Sequence, residues 1–202
     1  MNLLSLFFLL LLTGFAYQYF VGGKQHYVRG MQLEMEGKYE EAAEKYRSAE
    51  FSNQRPIARE GVARCYYKLA KQLVERGEYE EAIEKYGIVV SDYGDTIYAS
   101  EQYAIQICSE IVRYGSLEER ERASILIAKA CKGDVNKLLP YLNNEETVTV
   151  YFALIKIGRK GTEEALIEAL NKFGYKRMAE DYLNCGNKKL EDAARQWAEE
   201  HG

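Results

Sequence analysis

Side chains suited to acid–base or nucleophilic catalysis are few in this sequence. Its 202 residues include two histidines, His26 close to the N-terminus and His201 next to the last residue. A histidine that acts as a general base, alone or in a triad, must be held within reach of a nucleophile in a formed cleft. Neither position favours such a cleft, so the sequence predicts no histidine-based catalysis.

The other reactive groups lack the spacing that metal or phosphate chemistry needs. The four cysteines are far apart and form no Cys-x-x-Cys pair: Cys65, Cys108, Cys131 and Cys185. A zinc site is therefore not expected. The thiols are predicted to stay free in a reducing compartment, with two disulfides as the alternative. No Ser or Thr follows the lysine of Gly22-Gly23-Lys24, so this stretch is interpreted as a linker rather than a phosphate loop.

Acidic doublets recur along the chain, but their positions suit helix starts better than catalysis. They are Glu40-Glu41, Glu80-Glu81 and Glu163-Glu164. Each falls in the first turn of a predicted helix, where negative charge complements the helix dipole. We therefore expect no catalytic residue, cofactor, metal or small-molecule substrate, and the protein is predicted not to be an enzyme.

The composition indicates a helical protein that does not bind nucleic acid. Hydrophobic residues make up 47% of the chain and only 2 residues are proline, while Ala, Glu, Leu, Lys and Tyr are frequent. This usage favours helix over sheet. The formal net charge is -4 and the isoelectric point is about 5.5. Binding to phosphate backbones needs a cationic stripe, which the sequence lacks.

Residues 2–22 form an uncharged, apolar stretch that predicts a membrane anchor. As a helix it would span roughly 31 Å, close to the thickness of a bilayer core. A cleaved signal peptide is the alternative, with Gly14-Phe15-Ala16 as the cleavage site, although the positively charged start of such peptides is missing. Lys24 and Arg29 follow the stretch, which favours a cytoplasmic position for the body. An extracytoplasmic body remains the alternative.

A repeat with an offset of 40 residues organises the next part of the chain. Residues 36–46 return as residues 76–86, with Gly37 and Gly77 at equivalent positions. Each glycine is predicted to end a helix in the left-handed conformation. In the helix that follows, one face carries alternating small and aromatic residues: Tyr39, Ala42, Tyr46 and Ala49. Small residues on such a face let two helices approach closely.

This pattern resembles the second helix of a tetratricopeptide repeat, over residues 24–96. The offset departs from the family's usual repeat of about 34 residues, and Val89 replaces the last small residue. The resemblance implies an inner groove that binds a partner protein or peptide. Its lining would comprise Tyr27, Met31, Arg64, Tyr67 and Lys71. The alternative is a solvated helix face with incidental tyrosines.

A second repeat, with an offset of 28 residues, follows a helix that ends near Gly115 and is interpreted as a bridge. Gly133, Leu138 and Leu142 recur as Gly161, Leu166 and Leu170. Residues 123–202 thereby resemble short HEAT-like repeats. The last stretch, residues 184–202, is predicted to form a capping helix whose outer side is charged, as an end repeat requires.

The sequence thus predicts an all-α, right-handed helical-repeat solenoid behind one transmembrane helix. Its parts would be the anchor (1–22), tetratricopeptide-like repeats (23–115) and HEAT-like repeats with a C-terminal cap (116–202). The expected function is a membrane-anchored scaffold that binds a partner protein or peptide on its concave face. The alternatives are an extracytoplasmic envelope assembly factor or, since some HEAT-like proteins are bilin lyases, a lyase.

Overall fold

A computed structural model describes residues 13–14, 17–157 and 161–201 of the chain, and these residues fold into helices without any strand. The ten α-helices are α1 (Gly23–Met35), α2 (Tyr39–Ala49), α3 (Arg55–Glu75), α4 (Tyr79–Asp92), α5 (Glu101–Tyr114), α6 (Leu117–Ala130), α7 (Val150–Ile157), α8 (Glu163–Phe173), α9 (Lys176–Leu183) and α10 (Lys188–His201). The all-α prediction is confirmed for this part of the chain.

The two repeated glycines end their helices as predicted. Gly37 has a φ of 76° and Gly77 a φ of 74°. After α1, the backbone N–H of Lys38 donates to the carbonyl of Leu33 at 2.9 Å, and that of Gly37 donates to Glu34 at 3.0 Å. This pair of bonds defines a Schellman turn, which satisfies the last carbonyls of the helix. The same bonds recur around Gly77, so both copies of the repeat turn in the same way.

The first six helices form three stacked antiparallel pairs, α1/α2, α3/α4 and α5/α6. The predicted face of α2 is buried, with Ala42, Tyr46 and Ala49 inaccessible to solvent. Glycines on both neighbouring helices receive the Tyr46 ring. A Cβ atom at Gly30 or at Gly61 would lie 2.8 Å from that ring. The small residues therefore set the helix spacing, and the tyrosine fills it.

The third pair extends this stack beyond the residues that repeat in sequence. Ser116 caps α6 through a capping box, in which its side chain accepts from the Glu119 backbone and the Glu119 carboxylate accepts from Ser116 N–H. α6 packs on both α5 and α4. The expected boundary at residue 115 thus lies within a helix pair, and α5 is one of its two helices.

The second half of the chain repeats its buried leucines, but the two leucine-bearing segments differ in secondary structure. Leu138, Leu142, Leu166 and Leu170 are all buried. The first two, however, belong to a segment of 3-10 turns (Val135–Lys137 and Leu139–Asn143), whereas the last two belong to α8. The terminal helix α10 packs on α8 and α9 and buries Leu190 and Ala194. Gly158, expected at one of the turns, lies outside the described residues.

The predicted anchor falls mostly on residues that the structure does not describe. Among those it does describe, no helix is both long enough and apolar enough to cross a membrane. Helical backbone runs without a break from Tyr17 through a π-helical turn (Gln18–Gly22) into α1. The interpretation of residues 22–24 as a linker is therefore wrong. Gly22 has helical angles (φ -61°, ψ -43°), and Gly23 is buried within α1.

Candidate functional site

The five residues predicted to line a groove lie on two helices that hold equivalent places in the stack. Tyr27 and Met31 belong to α1, and Arg64, Tyr67 and Lys71 belong to α3. Both are the first helices of their pairs, and α3 packs against α1 on one side and α5 on the other. The side chains that α1, α3 and α5 leave wholly or partly exposed are called the first-helix face below.

Arg64 lies on this face but is already engaged by a carboxylate of α1. Its guanidinium donates to Glu34 through Nε (2.7 Å) and Nη2 (2.8 Å). Lys68 Nζ donates to the same carboxylate at 2.9 Å, and the Tyr46 hydroxyl at 2.8 Å. Burial alone would raise the pKa of Glu34, but these hydrogen bonds outweigh it and lower the pKa to about 2. Arg64 therefore ties α3 to α1.

Tyr67 belongs to a cluster of three half-buried tyrosines. Its ring centroid lies 5.6 Å from that of Tyr98 and 5.0 Å from that of Tyr103, and the last two are 4.9 Å apart. The Tyr67 hydroxyl donates to Gln106 Oε1 at 2.5 Å. Burial and the two neighbouring rings raise the pKa of Tyr67, so its hydroxyl stays protonated. The cluster joins α3 to α5 and is held in place by these contacts.

The other predicted residues flank this cluster and the Glu34 network. The Tyr27 ring packs 5.3 Å from the buried Tyr46 ring. Met31 is 44% exposed although it is apolar. Lys71 is exposed and forms no ion pair with another described residue, in contrast to Arg64 and Lys68. Lys71 is thus a cation of this face that remains available to a ligand.

Four further residues shape this face and were not predicted: Glu34, Tyr98, Tyr103 and Gln106. The last two lie on α5, which the sequence presented only as a bridge. If the sequence had identified α5 as the first helix of a third pair, Tyr103 would have been expected to lie beside Tyr67. Tyr98 lies in the 3-10 turn Ile97–Ala99, and nothing in its local sequence indicates a contact with α3.

Groups capable of other chemistry do not converge within the described part of the chain. No cluster of three or more His, Cys, Asp or Glu residues is placed to bind a metal there. The four cysteines are unpaired, and three of them, Cys65, Cys108 and Cys131, are buried. Burial raises the pKa of the Cys65 thiol to about 12, so at neutral pH it is protonated and a poor nucleophile.

Comparisons of the chain with models of known protein families, with curated protein sequences and with solved structures find no match.

Proposed function

We propose that this protein is a membrane-anchored scaffold that binds an acidic segment of a partner protein on the first-helix face. The observation that carries the proposal is the Tyr67–Tyr98–Tyr103 cluster beside the free cation of Lys71. The tetratricopeptide-like and HEAT-like assignments of the two halves, and the concave shape of this face, belong to the same proposal.

Half-exposed tyrosines are well suited to hold a peptide. Tyrosine offers a large apolar ring and a polar hydroxyl, and it loses little conformational entropy when a ligand binds. The three rings already pack on one another, so most of the conformational entropy of these side chains is lost during folding rather than on binding. Aromatic residues are also over-represented among the few positions that dominate interface energies. We therefore assign the main contact to this cluster.

The charges on the face favour an acidic ligand. Arg64 and Lys68 are both bound to Glu34, and two cations paired with one carboxylate leave a net positive charge at that site. Lys71 follows Tyr67 by one helical turn on α3, so its side chain lies on the same side of the helix. A carboxylate of the ligand can pair with Lys71 while its apolar atoms pack on the rings. In this proposal Arg64 links α3 to α1 through Glu34, and its positive charge adds to the attraction for an acidic ligand.

Residues 2–22 supply the anchor in this proposal, and Lys24 and Arg29 place the body on the cytoplasmic side. Intact-mass measurement of the protein from the membrane fraction tests whether the segment is retained. Loss of about 16 residues, the signal-peptide alternative, would remove the anchor. Protease protection in sealed vesicles tests the side independently.

Site-directed photo-crosslinking tests the binding proposal in the full-length protein in its native membrane. A photoreactive amino acid replaces the exposed Met31 on α1, which leaves Lys71 in place, or, as a control, the exposed Lys129 on α6. We expect position 31 to form a discrete adduct with one protein and position 129 to form none with it. The binding face is wrong if position 129 captures the same protein equally well, or if position 31 captures none.

A further inference from the structure

Close to the proposed anchor, α1 packs tightly against the body at its first residue, Gly23. Helical backbone continues from Tyr17 into α1, and Gly23 packs on the turn between α2 and α3. A Cβ atom at Gly23 would lie 2.0 Å from Ser52 Oγ, so only glycine permits this approach. Ser52 is itself held, since its hydroxyl donates to the Ala49 carbonyl at 2.6 Å. The direction of the helix is therefore set by the body.

Beside this contact, the turn presents a large apolar side chain to solvent. Phe51 is 87% exposed, although its neighbour Ser52 is buried. Phe51 and Tyr19 line the same shallow pocket of about 220 Å³, together with His26 and Ser48. Tyr19 and Gly23 are four residues apart, a rise of about 6 Å in a helix. The Phe51 ring thus lies at the level where the apolar segment ends.

We propose that the α2–α3 turn docks on the phospholipid interface of the bilayer, with the Phe51 ring inserted beside the N-terminal anchor. This inference rests on the proposed anchor at residues 2–22. Phe, like Trp and Leu, inserts into the headgroup/acyl boundary in proteins that lie on a membrane, and insertion would move the exposed Phe51 ring from water into lipid. Exposed Lys24 follows Gly23 in α1 and exposed Arg55 follows the turn, and both cations suit anionic headgroups.

The contact is confined to the first helix pair. On the same edge of the stack, α4 ends at the exposed Asp92, and the loop between α4 and α5 carries Asp95, which pairs with Arg59 of α3. Asp92 forms no ion pair with another described residue, so its carboxylate is repelled by an anionic surface and this end of α4 stays in water. The body is then held at two neighbouring points, the anchor and Phe51. Two points prevent it from tilting freely and give the first-helix face a constant direction relative to the membrane.

Quenching of tryptophan fluorescence by brominated phospholipids tests this contact in full-length protein reconstituted into liposomes. The variants are Phe51→Trp and, as a control, Tyr114→Trp, which changes an exposed aromatic residue at the far end of α5. The native Trp197 contributes equally to both, so wild-type emission is subtracted. Circular dichroism verifies that each variant is folded, and flotation of the same liposomes verifies that the protein is inserted.

We expect the added emission of Phe51→Trp to be lost in brominated lipid and shifted to the blue in unbrominated lipid. The emission of Tyr114→Trp should be unchanged by bromination. If the protein floats but Phe51→Trp is not quenched, the docking contact is wrong while the anchor stands. Equal quenching of both variants also overturns it, because the contact is then not local. If the protein does not float, the anchor is wrong and the contact falls with it.

Discussion

Glu34 shows how one side chain can hold two repeats together. It accepts hydrogen bonds from Tyr46 of α2 and from Arg64 and Lys68 of α3, while itself belonging to α1. Three elements therefore depend on one carboxylate being ionised. A carboxylate with several donors is strongly stabilised in its charged form, and removal of one partner from such a network leaves the others without compensation.

The Glu34 network predicts a specific dependence of stability on pH. The pKa of Glu34 is about 2 in the folded protein, against an ordinary value of 4.5. Because the folded pKa is depressed, the stabilisation is present above about pH 4.5 and is lost as the pH falls towards 2. We expect Glu34→Gln to lower the free energy of unfolding at pH 7 by about 1–2 kcal/mol. Urea denaturation across this pH range measures both effects.

Glu44→Gln is the matched control, because Glu44 lies exposed on α2 and forms no ion pair with another described residue. Wild-type protein and this control should lose stability in parallel below about pH 4.5, whereas Glu34→Gln should lose less. Identical pH profiles for all three proteins would show that Glu34 does not stabilise the fold.

At Tyr67 the prediction concerns binding. Once the crosslinked partner is identified, Tyr67→Ala should weaken its binding by about 2 kcal/mol or more, because few interface residues dominate the energy. Tyr67→Phe keeps the ring packed on Tyr98 and Tyr103 and should bind nearly as wild type. Isothermal titration calorimetry on proteins that circular dichroism shows to be folded measures the difference. Wild-type affinity of a folded Tyr67→Ala would exclude the cluster from the interface.

Lys71 gives a prediction that depends on salt. Lys71→Glu should weaken binding of an acidic partner, and the loss should shrink as salt is raised, since exposed charges are screened. Lys129→Glu makes the same change of charge on α6, away from the first-helix face, and should have little effect. Titrations at low and high salt separate these cases. Equal losses for the two variants would indicate a general effect of net charge.

At the scale of helices, the small residues of the first two pairs determine how closely their helices pack. Ala42 and Ala82 occupy equivalent positions in α2 and α4, and both are fully buried. The sequence predicts that both alanines allow close helix packing, because they recur with the same offset as Gly37 and Gly77. A larger side chain at either position has no space to enter.

Ala82→Leu should therefore lower the free energy of unfolding by about 1–3 kcal/mol through overpacking. Ala198→Leu in α10 serves as the control, because Ala198 is exposed on the outer side of the last helix. Thermal denaturation of both variants provides the measurement. A melting temperature equal to wild type for Ala82→Leu would mean that α3 and α4 do not pack through this face.

The third pair illustrates why sequence repeats reveal only part of the stack. Counted from the first residue of each second helix, Arg120 corresponds to Ala82 and Ser124 to Tyr86. The small residue and the tyrosine that identify the repeat are thus replaced in α6, so the sequence of α6 does not match those of α2 and α4. The helix itself is nevertheless indicated by the capping box at Ser116 and Glu119.

At the scale of the whole molecule, Arg120 joins the two halves. Only 5% of its surface is exposed. It pairs with Asp181 of α9, donates to the Val112 carbonyl at 2.9 Å, and its guanidinium lies 4.2 Å from the Phe152 ring centroid of α7. The Tyr151 hydroxyl donates to the same Asp181 carboxylate at 2.5 Å. One buried ion pair thus links the third helix pair to the helices that follow.

Asp181→Asn should destabilise the protein by about 3 kcal/mol, since it leaves the buried Arg120 charge without its counter-ion. Glu180→Gln changes the exposed neighbour on the same helix and should have little effect. Urea denaturation followed by circular dichroism compares the two. An equal, small effect of both substitutions would show that the link through Arg120 is dispensable.

The helical class, the turns at Gly37 and Gly77, and the packed faces of α2 and α4 could all be predicted from the sequence. These features depend on contacts between residues close in the chain or on strict repetition, so they leave a periodic signal. The structure was needed to show that Glu34 pairs with Arg64, that Tyr98 and Tyr103 pack around Tyr67, and that Arg120 pairs with Asp181. Those partners are 30 or more residues apart with no common period, and they meet only because the helices between them stack.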